Sequence, residues 1–359
     1  MRPESEGQAM KVRRVVAIVG VLLAVLCAGA AIPLLLERAS AGPEPDARQT
    51  DQQQESELVF TTSGDFNDSS KAEAVFEGIA DLDPDLHIAL GDLSYGDPGE
   101  EQAWCRMVVD AVGAGFPFEL LAGNHESDGS DGVINDFAAC LPNQLPGAVG
   151  TYARQYYVDV PQEAPIARFV LISPGLTFPD GTDSYDEGSS EYEWAQEAIE
   201  GARDADIPWV VVAMHKPCLS IGEYRCDPGE DIIDLLVDER VDLVLSGHEH
   251  LYQRTAQLAT GGGCAAIRSG EYSADCVADE GDTLEKGAGT VFATVGTGGQ
   301  DLREVYEDDP EAPYMVATHG AGEDATWGSL EVTLTPAELS ARFVPATGGD
   351  FTDRFSIGG

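Results

Sequence analysis

Residues 241–254 read VDLVLSGHEHLYQR. A mostly apolar run, Val241 to Leu245, stops at Ser246-Gly247 and is followed at once by His248, Glu249 and His250. Short apolar runs bounded by turn residues read as strands. In extended chain the two histidines project to one side and Glu249 to the other. Four other stretches repeat the pattern. LVFTTSGD ends at Asp65, HIALGD at Asp92, FELLAGNH at Asn124 and His125, and WVVVAMH at His215. Glycine precedes the polar residue in four of the five, at Gly64, Gly91, Gly123 and Gly247, where it permits a sharp departure from a strand. Alone, each ending is an ordinary turn, a helix cap or a satisfied histidine. Together they place four of the six histidines, with carboxylates and an amide, at the ends of strands, where open α/β sheets bind ligands. The joint arrangement predicts a shared metal site.

Around these endings, strands are expected at 57–62, 86–90, 117–122, 167–173, 208–214 and 241–246, and helices at 70–82, 100–113, 191–204 and 229–239. Alternation of buried strands and helices argues for a layered α/β fold. The C-terminal part changes character, with strands expected at 290–296, 313–318, 328–334 and 339–344 and few helices between them. That pattern predicts a second sheet, built from the C-terminal strands and packed on the first.

The chain of 359 residues carries 20 Lys and Arg against 64 Asp and Glu, a net charge of −44. Such a polyanion is repelled by nucleic-acid backbones and anionic membrane surfaces, so neither is expected as a partner. Lys11, Arg13 and Arg14 precede an uncharged apolar run from Val15 to Leu36, long enough to span a bilayer. Residues 1–38 are read as a membrane anchor or a cleavable signal peptide, with membrane contact only there. Residues 39–56 are read as a flexible polar linker, and 57–359 as the catalytic domain, extracellular or at the cell surface. Apart from Cys27, six cysteines remain, an even number that suits disulfides in an exported chain. Sequence does not select a pairing. Short loops favour the sequential one, Cys105 with Cys140, Cys218 with Cys226, Cys264 with Cys276.

Carboxylate, amide and imidazole without thiolate suit iron, manganese or zinc. The candidates are too many for one ion, and two ions sharing one carboxylate would use them all. In order, the motifs are GDFN, GDLSY, GNHE, a strand ending in MHKP, and GHEHLYQR. This set resembles the calcineurin-like metallophosphoesterase superfamily over about residues 58–345. Tyr95, three residues after Asp92, resembles the purple acid phosphatase branch.

The resemblance implies a layered sandwich of two mixed β-sheets flanked by helices. It implies two metal ions: Fe(III) held by Asp65, Asp92, Tyr95 and His250, and a divalent ion (Zn, Mn or Fe) held by Asp92, Asn124, His215 and His248. It implies that His125 contacts substrate and protonates the leaving group, while a metal-bound hydroxide attacks phosphorus in line. The expected substrate is a phosphate monoester. A phosphodiester or nucleotide substrate on the same scaffold is the near alternative, and a non-catalytic metal-binding surface protein the distant one.

Asn67 departs from the family pattern and is named as an additional metal or substrate contact. The loop from Cys218 to Cys226 has no histidine where plant enzymes of this kind carry substrate histidines, leaving Lys216 and Arg225 as phosphate contacts or solvated charges. His87 and Trp194 are read as structural, His319 as part of a surface loop, and the ESDGSDG stretch as an exposed acidic loop.

Overall fold

The strands that end in candidate ligands belong to two different sheets. The computed structural model describes residues 56–359. The anchor or signal segment at 1–38, and the linker at 39–56 except Ser56, lie outside the described residues. No helix among the described residues is long and apolar enough to cross a membrane.

One sheet has seven strands in the order Thr283–Glu285, Arg354–Gly358, Glu338–Gly348, Thr326–Leu334, Leu58–Ser63, Leu86–Ala89, Phe118–Leu120. The other has eight, in the order Met315–His319, Tyr252–Thr255, Val291–Val295, Leu243–Ser246, Trp209–Met214, Ala167–Ile172, Gln155–Val160, Val149–Thr151. Within the first sheet the three ligand-bearing strands Leu58–Ser63, Leu86–Ala89 and Phe118–Leu120 run parallel. Within the second, so do Trp209–Met214 and Leu243–Ser246. Their carboxyl ends therefore open towards one side in each sheet, which is where the polar residues follow.

The two sheets pack face to face. Between them lie Phe60, Ile88, Leu330 and Val332 of the first sheet and Phe169, Leu171, Val211 and Leu245 of the second. Phe60 and Phe169 meet edge to face at 5.0 Å across this layer. The outer faces are covered by helices, which explains why the central strands are apolar on both sides: all six residues of Trp209–Met214 are buried. Helix Ser70–Leu82 begins where the Ser69 side chain accepts from the Lys71 and Ala72 amides. It buries Ala72, Val75, Phe76 and Ile79, an i, i+3, i+4, i+7 stripe, against the first sheet. Helices Ser190–Asp204 and Glu230–Asp238 cover the second through Ala195, Ile199, Ile232 and Leu236. The result is a helix–sheet–sheet–helix sandwich.

The expectation that the C-terminal strands form a second sheet of their own is corrected. Val291–Val295 and Met315–His319 join the eight-stranded sheet, while Thr326–Leu334 and Glu338–Gly348 join the seven-stranded one. The reason is edge pairing: Thr326–Leu334 runs antiparallel to Leu58–Ser63, and Val291–Val295 lies parallel to Leu243–Ser246. The seven-stranded sheet thus takes strands from both ends of the described residues, and the eight-stranded sheet takes its strands from in between, from Val149 to His319. The three disulfides join Cys105 to Cys140, Cys218 to Cys226 and Cys264 to Cys276, the sequential pairing.

Two buried titratable groups lie in the first sheet away from the strand ends. His87 accepts or donates at Nδ1 with Thr61 Oγ1 (2.9 Å) and stacks on Phe118, and burial pushes it down to about 3. It is a neutral core residue. Glu119 is fully enclosed, with Oε1 accepting from the Gln144 amide and Oε2 without a partner. Burial raises its carboxyl from 4.5 to about 7. Because the folded value is the higher one, its contribution to stability is full below pH 4.5 and is lost as the pH rises through 7, by up to about 3 kcal/mol. Glu119→Gln, which needs no charge, is expected to gain that stability at pH 8 and nothing at pH 4. Denaturant melts at the two pH values read it directly; equal effects at both would refute it.

Candidate metal centre

Each candidate side chain enters the crevice from a bend just beyond its strand. Asp65, Asp92, Tyr95 and His248 hold left-handed backbone, with φ of 60°, 52°, 54° and 68°. For non-glycine residues this costs on the order of 1 kcal/mol each, and such strain collects at functional sites. The glycines play a different part from the one expected. Of Gly64, Gly91, Gly123 and Gly247, only Gly91 takes positive φ, at 87°. Gly123 is required for close approach, since a Cβ there would lie 2.1 Å from Asp92 Oδ1. The left-handed bend falls on the residue after the glycine, so the carboxylate or imidazole itself is turned inwards.

The bends are tied together by main-chain hydrogen bonds between loops. Gly64 N donates to Val295 O, Asp65 N to Gly91 O, and Gly247 N to His215 O. Glu126, fully buried, accepts from Gly123 N at 2.6 Å and Asp92 N at 3.0 Å through one oxygen and from Leu93 N through the other. It buckles the GDLSY and GNHE loops to each other. Burial, then the Asp92 charge, raises Glu126 to about 7.

Seven of the named residues come together. Asp92, His215 and His248 offer donor atoms within 4.8 Å of one another, and so do Asp65, Asp92 and His250; Asp92 is common to both groups. Tyr95 Oη completes the second group, 3.3 Å from Asp65 Oδ1, 3.1 Å from Asp92 Oδ2 and 3.0 Å from His250 Nε2. Asn124 Oδ1 joins the first, 3.1 Å from His215 Nε2. His215 and His250 each direct Nδ1 at a backbone carbonyl, Leu90 O at 2.7 Å and Asp301 O at 3.1 Å. That fixes the tautomer and presents Nε2 to the centre.

The chemistry of this donor set fits metal ions. Asp65 Oδ2 and His248 Nε2 are buried and have no hydrogen-bond partner, an arrangement that is costly unless something else satisfies them. Burial, then neighbouring charge, sets the protonation of the cluster. Burial raises the Asp65 carboxyl well above its ordinary value, with Asp92 adding and His215 opposing. Burial and the charges of Asp65 and Asp92 raise the Tyr95 phenol likewise, so an ionised Tyr95 requires a strong cation beside it. Burial lowers His248 to about 2 and His250 to about 4, leaving neutral imidazoles with free lone pairs. Burial also disfavours the His215 cation, but the charge and hydrogen bond of Asp92 outweigh it and hold that histidine at about 9.

His125 sits at the rim rather than among the donors. Its amide donates to Asp92 Oδ1 at 3.2 Å, and its Nε2 lies 3.7 Å from Asp92 Oδ2. Its ring packs on Tyr95, and Nδ1 meets Asp131 Oδ2 at 2.5 Å. Asp131 belongs to the ESDGSDG stretch, whose reading as a simple exposed acidic loop is therefore corrected: Asp131 N also donates to His125 O, closing the loop on that histidine. Nothing in the sequence distinguished Asp131 from the other acids around it.

Asn67 is put to a different use from the one named for it. Its Oδ1 accepts from Ser69 N and its Nδ2 donates to Gly299 O, so it shapes the entry to helix Ser70–Leu82. Lys216 and Arg225 are paired with Asp227 and Asp309. His319 Nε2 accepts from Thr326 N and its ring stacks on Phe351; Trp194 packs on Tyr157. Two residues beside the centre escaped sequence reading altogether. Tyr224 stacks on His248 at 4.4 Å, and Arg303 donates to His248 O.

The sequence profile of the calcineurin-like phosphoesterase family matches residues 64–252, more than half of the chain. Purple acid phosphatase 18 of Arabidopsis thaliana is 24% identical over 74% of this chain and 56% of its own length. The Fe(3+)-Zn(2+) purple acid phosphatase 12 of the same plant is 24% identical over 66% of this chain and 49% of its own. A purple acid phosphatase from yellow lupin (Lupinus luteus) seeds shares the fold, with a TM-score of 0.63 at 16% identity over 85% of this chain and 54% of that one. The chain thus spans about half the length of these relatives.

Proposed function

The chain belongs to the calcineurin-like phosphoesterase family, and from that premise we propose that it is an exported, binuclear phosphomonoesterase of the purple acid phosphatase type, with residues 57–359 as its catalytic domain. The observation that carries this reading is the position of Asp92 in both donor groups, with the Tyr95 phenol against one of them. Three disulfides support an oxidising, extracellular setting.

Asp65, Asp92, Tyr95 and His250 would hold ferric iron, because anionic oxygens suit a hard trivalent ion. Asp92, Asn124, His215 and His248 would hold zinc, manganese or ferrous iron; the printed name of one relative pairs iron with zinc. Two such ions supply Lewis acidity, drawing charge from the phosphoryl oxygens and making a nucleophile available near neutral pH. The protein's own groups orient and protonate. Asp131 holds the Nδ1 proton of His125, which directs Nε2 towards the Asp92 side of the crevice. From there His125 can give a proton to the departing alcohol oxygen. The carbonyls of Leu90 and Asp301 keep the rings of His215 and His250 from turning.

The test is spectroscopic and kinetic. Protein covering residues 57–359 should contain about two metals per chain including iron, absorb visible light, and prefer a phenyl monoester to the matched diester. Tyr95→Phe should abolish the visible band while metal remains. A colourless wild-type protein with two metals would remove Tyr95 and iron from the reading, and a diester preference would replace the monoesterase.

A further inference from the structure

The three histidines of the centre are not held alike. His215 and His250 each rest Nδ1 on a backbone carbonyl, Leu90 O and Asp301 O. Among the described residues His248 has no such bond, and its Nε2 is buried without a partner. A ligand imidazole is ordinarily kept in place by a hydrogen bond from its other nitrogen. Around His248 that task falls to packing. The Tyr224 ring lies on it, centroids 4.4 Å apart and planes within 28°, and the His215 ring meets it at 5.0 Å and 70°. The guanidinium of Arg303 lies 4.8 Å over the Tyr224 ring and donates to His248 O at 3.2 Å, while the Arg303 amide donates to His250 O at 2.8 Å.

Both residues are anchored on the carboxylate that stands between His248 and His250. Glu249 is fully buried and accepts from Glu223 N at 3.0 Å and Tyr224 N at 2.6 Å, and Arg303 Nη1 lies 3.8 Å from it. Glu223 pairs with Arg303 Nε at 3.3 Å, and the Cys218–Cys226 disulfide closes the loop that carries Tyr224. Gly222 lets that loop come so close, because a Cβ there would lie 2.4 Å from the Glu249 carboxyl group. We propose that Tyr224 and Arg303 are positioning residues for His248. Stacking and the guanidinium take the place of the absent hydrogen bond, and so set how tightly Asp92, Asn124, His215 and His248 hold their divalent ion. The inference rests on the binuclear reading and deepens it. Holding the ring in its ligating rotamer beforehand removes the cost of ordering it when the ion binds. Tyr224 is already engaged by His248 and Arg303, and the leaving alcohol departs beside His125, so neither residue is a catalytic one.

The experiment titrates zinc into metal-free, full-length protein by equilibrium dialysis, for the wild type and for Tyr224→Phe, Tyr224→Leu and Arg303→Met. The wild type should bind zinc in two steps. Tyr224→Leu and Arg303→Met should each weaken one step about tenfold and leave the other within about threefold. Tyr224→Phe keeps the ring and should stay within about threefold of the wild type on both. A merely structural role predicts instead a lower melting temperature of the metal-free variants with zinc affinity unchanged, and that result would overturn the proposal. So would Tyr224→Phe losing as much affinity as Tyr224→Leu, or both steps weakening equally. If Tyr224→Leu fails to fold, Arg303→Met against the wild type decides by the same two steps. A wild-type protein that binds fewer than two zinc ions sinks the binuclear reading and this inference with it, whereas two ions with unchanged affinities in the variants sink this inference alone.

Discussion

Asp92→Asn is expected to reduce kcat on phenyl phosphate by at least about a thousandfold while the protein stays folded. Asp92 is the only residue shared by both donor groups, so the substitution weakens both at once. The amide is isosteric and still accepts the His125 amide hydrogen bond at Oδ1, which keeps the GNHE loop in place. What it removes is charge. Burial works against the Asp92 carboxylate, but His215 and His125 outweigh it and hold the group below the usual carboxylate range. Without that anion, His215 loses the main partner that keeps it at about 9 in the metal-free protein. Metal analysis should show fewer than two ions per chain, with circular dichroism and melting temperature close to the wild type. Activity within tenfold of the wild type would sink the assignment of Asp92 as the shared ligand.

His125→Ala is the second large effect, and its size should depend on the alcohol that leaves. General acid catalysis contributes about 100-fold or more when the leaving oxygen is basic, and little when it departs readily as an anion. For His125→Ala the loss should therefore be about 100-fold on phenyl phosphate and under about tenfold on 2,4-dinitrophenyl phosphate. Asp131→Asn, which keeps the ring but weakens its orientation, should show the same dependence at about a tenth of the size. A plot of log kcat against leaving-group pKa checks both. Parallel lines for wild type and His125→Ala would mean that His125 binds substrate without protonating it.

The main elements that build the sandwich were legible because burial imposes period. Helix Ser70–Leu82 was readable to the residue: an apolar stripe at helical spacing follows a serine cap. The buried strands Trp209–Met214 and Ala167–Ile172 announced themselves as unbroken apolar runs. Short elements were not legible. Ile134–Cys140 has seven residues, too few to express a helical period, and Val149–Thr151 is exposed throughout. At the centre, Asp65, Asp92, Asn124, His215, His248 and His250 could be named because each follows the end of a strand within a few residues, whereas Tyr95 could be named only through the resemblance to purple acid phosphatases. Asp131, Tyr224 and Arg303 could not, because an acid, a tyrosine and an arginine in loops carry no periodic or positional mark.

The sequence by itself determined which side chains stand at strand ends and that the strands are buried on both faces, since both are local consequences of composition and spacing. Only the tertiary structure decided that the ligand-bearing strands divide between two sheets, with Asp65, Asp92, Tyr95 and Asn124 arriving from one and His215, His248 and His250 from the other. It also decided that Thr326–Leu334 closes on Leu58–Ser63 at the opposite end of the chain, and that Glu249 draws the Tyr224 loop onto His248. Strand pairing and loop docking join residues far apart in sequence. Their energies depend on which edges and carboxylates remain unsatisfied once the sheets have packed, and no window of sequence contains that information.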